Sequence, residues 1–459
     1  MVDAFRSRSL SPLEALEASL GAIERSTLNA LCHLDPDSAR SAARNVDVSL
    51  PFGGVPIGVK EIDGAVGGWP ATHASLVFRD AIADRDCTQV TRLKGAGAIP
   101  LGLTNASEFG GVSCTHTKLH GTTHNPWNFE RTPGGSSGGA AAAVAGGLIP
   151  LSTGGDGGGS IRIPSAFCGL FGLKNTFGRI PRGPHAEIGN HTVVIGCLAR
   201  SVRDTARWLD VCNGFDPHDP WSLPRVEGWE AGLGTSSLAG RRAVIAPTLG
   251  NAHVNPAVEG LVREQAELLA HDAGLALVDV PVEVPTFGLE WALSGLVSLR
   301  ATLGERYPEC AHELTADIQF GLNLAGRLFT FDQAASAELE RQRLNAIMAS
   351  LFEQVELIFA ATTADVAFAA QGPLPTVVGG VDLVEELGFE RALGNNGALT
   401  IASNVYGNPA VTIPVGIVDG LPVGMQVLSR HHTEALLLDV AGVAERERPW
   451  PLVAPGAPC

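Results

Sequence analysis

Two glycine-framed serine motifs constrain this chain more than any other feature: Gly134-Gly135-Ser136-Ser137-Gly138-Gly139, then Gly154-Gly155-Asp156-Gly157-Gly158-Gly159-Ser160. Glycine loses the most conformational freedom on folding, so it is costly as filler. It does let successive N–H groups converge on one point. Such convergence suits an oxyanion hole beside a hydroxyl nucleophile. A phosphate-binding P-loop would need a lysine directly after its glycines, whereas Gly139 is followed by Ala140-Ala141-Ala142-Ala143-Val144-Ala145, a packed helix. A flexible linker would be polar on both sides, and Ser160 leads into Ile161-Arg162-Ile163-Pro164. The residues favour nucleophilic catalysis, with phosphate binding and structural turns as the alternatives.

The chain has 459 residues, enough apolar material for a large core, and a formal charge of −16. That charge argues against nucleic acid or an anionic membrane as the main partner. No run of about 18 apolar residues occurs, and the start Met1-Val2-Asp3-Ala4-Phe5-Arg6 lacks a secretory layout, so the expected location is cytoplasmic. Eight cysteines, Cys32, Cys87, Cys114, Cys168, Cys197, Cys212, Cys310 and Cys459, are scattered without CxxC pairs and read as free thiols. His116, His120 and His124 have a helical spacing that could hold a metal. Gly121 and Pro126 break such a helix, and a polar loop near a substrate entrance is the preferred reading.

Apolar periodicity and capping residues outline an α/β alternation. Ser11-Pro12-Leu13-Glu14 is a capping box opening an amphipathic helix. Strands are expected at Val55–Val59, Ile99–Leu103, Leu148–Ser152 and Leu357–Ala361, with helices at Thr88–Ala96, Ala140–Ala145, Asn255–His271, Trp291–Leu303 and Ala334–Val355. The stretch Ala276–Val284 reads as extended, Asn213–Ser237 as a long connection, and Asn404–Gln426 as short strands with Pro and Gly turns. The elements never segregate, so a single domain over 1–459 is expected.

A serine nucleophile needs a base, and no histidine stands out for the task. The chain has only four lysines, Lys60, Lys94, Lys118 and Lys174. Lys94 and Lys118 fall on a solvated helix and loop. Lys60 ends a buried apolar strand, where desolvation disfavours the ammonium and favours a base; snorkelling to water is the competing reading.

Taken together, the two serine motifs with Asp156 through Pro164, Phe167-Cys168-Gly169-Leu170-Phe171-Gly172-Leu173-Lys174 and Gly54-Val55-Pro56-Ile57-Gly58-Val59-Lys60 closely resemble the amidase signature family. Thr104 to Phe109, Asn125-Pro126-Trp127, Asn408-Pro409-Ala410 and Gly420 to Gln426 agree with it. The likeness is specific over about 50–205, returns over about 400–450, and is weak in the variable stretch of about 213–395. The resemblance implies an α/β/α fold, a central mixed β-sheet covered by helices, and a Ser-cisSer-Lys triad carried over as Ser160 nucleophile, Ser136 bridge and Lys60 base. It further implies Gly157, Gly158, Gly159 and Gly110 as oxyanion and substrate contacts, and Asp156 and Arg162 as structural supports. Neither metal nor cofactor is implied. The expected activity is hydrolysis of a small-molecule amide, and the chain could pair as a homodimer. The alternative is the glutaminase subunit of a tRNA-dependent amidotransferase. Two positions depart from the common pattern: Gly155 stands where many members have Thr, and Glu61 where many have Asp. Trp291, Phe320, Phe329 and Phe331 are expected to fill core rather than line a pocket.

Overall fold

The computed structural model describes residues 1–186 and 191–455, which leaves Cys459 outside the described residues. Its centre is an eleven-stranded mixed sheet. In chain order the strands are β1 (Leu31–Leu34), β2 (Pro56–Lys60), β3 (Ile99–Thr104), β4 (Leu151–Asp156), β5 (Phe171–Lys174) and β6 (Val194–Ala199). They continue as β7 (Arg242–Ile245), β8 (Ala276–Leu277), β9 (Leu357–Ala361), β10 (Ala410–Val418) and β11 (Leu421–Ser429). Across the sheet the order is β1-β3-β2-β4-β6-β5-β10-β11-β9-β7-β8.

Side chains alternate between the faces of a strand, and β6 shows both faces covered. Ile195, Cys197 and Ala199 join a core with the helices Val202–Cys212, Pro256–Asp272 and Glu434–Glu447. Leu198 points the other way, to a second core with the helices Pro12–Arg25 and Gly138–Ala145. That is the α/β/α layering expected of the chain. The first helix is fixed as its sequence suggests, with Ser11 accepting from the Glu14 N–H and the Glu14 carboxylate accepting from the Ser11 N–H at 2.8 Å.

The helix Gly138–Ala145 is buried along its whole length. A Cβ on Gly139 would collide with the backbone of Ala30 and Asn105, so only small residues let this helix lie so close to the sheet.

Three expectations are shifted by the fold. The strand expected at Leu148–Ser152 runs instead through the glycines to Asp156, because Gly154 and Gly155 pair with Gly196 and Ile195 of β6. Of the extended stretch after Ala276 only Ala276 and Leu277 find a partner strand. Over Asn404–Gln426 the short helix Ile401–Tyr406 is followed by a long hairpin of β10 and β11. Its tip is Asp419-Gly420, both at positive φ as a two-residue hairpin loop requires. Within the described residues, 213–237 holds neither helix nor strand, and no helix is long and apolar enough to cross a membrane.

Candidate active site

β2 and β4 are parallel neighbours, paired at Ile57↔Leu151 and Gly58↔Ser152, so both leave the sheet at the same edge. Open α/β sheets place their crevices at such carboxyl ends. Lys60 ends β2 and is fully buried. Its N–H donates to Thr153 Oγ1 at 2.7 Å, and its Nζ lies 2.9 Å from Ser136 Oγ and 3.4 Å from the Gly155 carbonyl.

The Gly135–Ser136 peptide is cis, as the resemblance implies. Ser136 is buried, and its carbonyl accepts from the Ser107 N–H at 3.2 Å. Gly110, at φ +73°, passes so near that a Cβ there would stand 3.5 Å from Ser136 Oγ. The neighbouring Ser137 hydroxyl is also buried and donates to the Gly155 carbonyl at 3.3 Å. Ser160, whose carbonyl accepts from the Ser137 N–H at 3.3 Å, is half-buried and keeps a face to solvent.

The turn from Asp156 to Ser160 is shaped by one carboxylate. Asp156 accepts from the N–H groups of Gly159 at 2.8 Å and Ile161 at 3.2 Å, and from Asn404 Nδ2 at 2.8 Å. Arg162 completes the set with Nε and Nη2 each at 3.0 Å, in a pair wholly out of water. Burial alone would favour the neutral acid. The charge and hydrogen bonds of Arg162, helped by Asn404 and by the charge of Lys174, hold the carboxyl well below the usual carboxylate range. Because the Gly159 N–H serves Asp156, it is not free for an oxyanion. Among the described residues, the N–H groups of Gly157, Gly158 and Ser160 have no protein acceptor.

Two groups at this site carry no motif. Asp63 places Oδ2 2.9 Å from Lys60 Nζ. The room for it comes from Gly155, where any Cβ would collide with the Asp63 carboxylate. The missing threonine therefore admits a carboxylate to the lysine. The second group is Trp291, expected in the core. It is half-buried, its Nε1–H donates to the Gly157 carbonyl at 2.9 Å, and its ring covers Gly158. Thr400 Oγ1 donates to the Gly158 carbonyl at 2.6 Å. Nor do Phe320 and Phe331 fill core, since both are exposed and Phe331 is 87% accessible. They sit on the outer faces of the helices Ala316–Leu328 and Phe331–Gln354, which turn other residues inward. Phe329 is half-buried.

The three histidines of the loop go to separate partners. His116 Nδ1 lies 2.8 Å from Thr122 Oγ1, and His124 Nδ1 lies 2.7 Å from the Phe129 carbonyl with its ring stacked on Phe129. His120 Nε2 reaches Glu61 Oε1 at 2.7 Å.

The amidase family model matches residues 14–438. The chain belongs to the amidase family. It is an amidase, a hydrolase of carboxylic amide C–N bonds. It is 33% identical over 473 residues to an acylamidase of Rhodococcus erythropolis, covering 98% of this chain and 95% of that protein. It is 32% identical over 474 residues to the A-type subunit of the glutamyl-tRNA(Gln) amidotransferase of Chloroflexus aurantiacus, covering 96% of this chain and 94% of that protein. Among solved structures, a bacterial aryl acylamidase superposes with a TM-score of 0.88 at 26% identity, covering 98% and 95% of the two chains. The 6-aminohexanoate cyclic dimer hydrolase complexed with substrate gives 0.86 at 27% identity, covering 99% and 98%.

Proposed function

We propose that Ser160 attacks the amide carbonyl, that Ser136 relays its proton to the base form of Lys60, and that the N–H groups of Gly157, Gly158 and Ser160 receive the oxyanion. The Lys60–Ser136 contact of 2.9 Å beside a half-exposed Ser160 carries this reading. As the Ser160 Oγ–carbon bond forms, its proton passes to Ser136 Oγ and the Ser136 proton to Nζ. When the tetrahedral intermediate collapses, the same path returns a proton to the departing nitrogen, and water then cleaves the acyl ester. Asp63, 2.9 Å from Nζ, orients the lysine, and Asp156 with Arg162 keeps the turn in shape.

What packs around the turn and around Gly110 supports a substrate class. Trp291 covers Gly158, Val193 lies against Gly157, and Ile62 and Ile318 lie against Gly110 and Gly111. This apolar lining suits a small, uncharged amide with an aryl or alkyl face, acted on by a free-standing enzyme. Glutamine would bring an α-ammonium and an α-carboxylate that need partners in that lining. The acylamidase and aryl acylamidase relatives accord with this choice; the amidotransferase relatives accord with the glutaminase alternative.

Labelling with a fluorophosphonate, followed by peptide mass mapping, should place the adduct on Ser160, and Ser160→Ala should abolish both labelling and turnover. An adduct on Ser137 refutes the assignment. For the substrate class, the isolated chain should hydrolyse an acyl anilide faster than glutamine. A preference for glutamine above about tenfold, roughly 1.4 kcal/mol in the barrier, with a partner protein needed for full rate, would establish the glutaminase reading instead.

A further inference from the structure

We propose that Cys32, Glu61 and His120 form a binding site for a thiophilic divalent cation of the zinc class, separate from the amide chemistry. The three come from β1, from the residue after β2, and from the loop between Thr117 and Gly121. Their sulfur, oxygen and nitrogen ligand atoms all lie within 4.8 Å of one another. Thiolate, imidazole and carboxylate together make a donor set suited to zinc, with three protein ligands and a fourth position for water.

A second observation points the same way. Glu61 has a side chain only 1% accessible, yet its Oε2 has no hydrogen-bond donor among the described residues. A buried carboxylate oxygen without a donor is costly, and a cation beside it removes that cost. The other oxygen, Oε1, accepts from the Thr72 hydroxyl and meets His120 Nε2. Thr72 thereby orients the carboxylate as outer-shell partners of metal ligands do.

The site is also held in place. The His120 N–H donates to Thr117 Oγ1 at 2.9 Å, and its carbonyl accepts from Asn29 Nδ2 at 2.7 Å. Cys32 Sγ lies 3.6 Å from the Leu103 carbonyl on the neighbouring strand β3. The His120 side chain is 18% accessible, which gives the fourth position a route to solvent. Binding replaces the thiol proton by the metal and separates His120 from Glu61 by the small distance that two ligands of one ion require. It ties β1 and the loop to Glu61, next to Lys60. None of the three ligands depends on which serine is the nucleophile.

The probe is cobalt(II), added to the full-length chain after chelator treatment and reduction. One cobalt per chain should bind, with a near-ultraviolet thiolate-to-cobalt band that one equivalent of zinc erases. Cys32→Ser should lose the band, and His120→Gln and Glu61→Gln should weaken zinc binding by at least the tenfold to hundredfold typical of losing even an outer-shell partner. Because His120 is partly exposed, His120→Gln tests the site even if a buried replacement unfolds the chain. Absence of the band in the wild-type chain, its persistence in Cys32→Ser, or unchanged zinc affinity in His120→Gln overturns the proposal.

Discussion

Replacing Lys174 by Met should stabilise the folded chain, and by an amount that depends on pH in a defined way. Lys174 ends β5, is fully buried, and among the described residues donates from Nζ only to the Asn175 carbonyl, at 3.3 Å. Burial, with the nearby charge of Arg162, lowers its pKa from 10.5 to about 7, against the opposing charges of Asp156 and Glu434. Between about 7 and 10.5 the unfolded chain binds a proton that the folded chain has released, so this group makes stability rise with pH across that window. Below pH 7 the folded chain must carry the charge, and the full cost of about 5 kcal/mol applies, at about 1.4 kcal/mol per pKa unit. Methionine has a similar length and no proton to bind. It forfeits one hydrogen bond, about 1 kcal/mol. Urea unfolding of both proteins at pH 6, 7.5 and 9 should show the variant ahead by several kcal/mol at pH 6, with the lead shrinking by about 1.4 kcal/mol per pH unit above 7. Taking the difference between the two proteins cancels the titrating groups that do not interact with Lys174, which leaves Asp156, Glu434 and His431 as the neighbours its charge reaches. A difference that stays flat from pH 6 to 9, or a variant less stable at pH 6, would refute the reasoning.

Arg162→Met should cost about 3–5 kcal/mol in urea unfolding, because it leaves the Asp156 carboxylate buried without its counter-charge; turnover should fall with it as the turn before Ser160 loosens. Gly155→Thr should displace Asp63 from Lys60 and lower kcat about tenfold or more; Asp63→Ala should lower it equally, and the Gly155→Thr, Asp63→Ala double variant should be no slower than either single change, whereas additive losses would show the two positions to act separately. Trp291→Ala should raise KM for anilides and slow fluorophosphonate labelling about tenfold, since the turn loses both its indole donor and its cover; unchanged labelling would place the indole outside the site.

Sequence legibility divides along physical lines. Lys60, Ser136 and Ser160 stand out in the sequence as candidates because their surroundings are local: an apolar strand and two glycine runs whose cost demands a reason. Asp63 could not be read alone, because its place beside Lys60 depends on a missing side chain at Gly155, far along the chain. The one signal in the sequence is that glycine, beside which the fold brings the Asp63 carboxylate. Trp291 was hidden for a related reason, since an indole on a helix packs equally well into a core or onto a turn. The commitment of the Gly159 N–H to Asp156 depends on the path of the turn. His120 was grouped with His116 and His124 by spacing, whereas folding sends the three apart and brings Cys32 and Glu61 to His120. β4 runs on through Gly154 and Gly155, paired with β6, where a Cβ would meet Leu198 at Gly154 and Asp63 at Gly155, so the lack of bulk is what fits.

The parallel pairing of β2 with β4 works as a ruler. Neighbouring strands stand about 4.8 Å apart through backbone hydrogen bonds that no side-chain replacement alters, so the gap between the lysine and the glycine turn is written into the main chain. What packs over the site belongs to a different kind of object: the helices Gly288–Leu303 and Ala316–Leu328, which bring Trp291 to Gly158 and Ile318 to Gly111 and share an apolar cluster with Phe78 and Phe109. Exchanging that pair of helices between amidases should therefore transplant preference while leaving the chemical step in register.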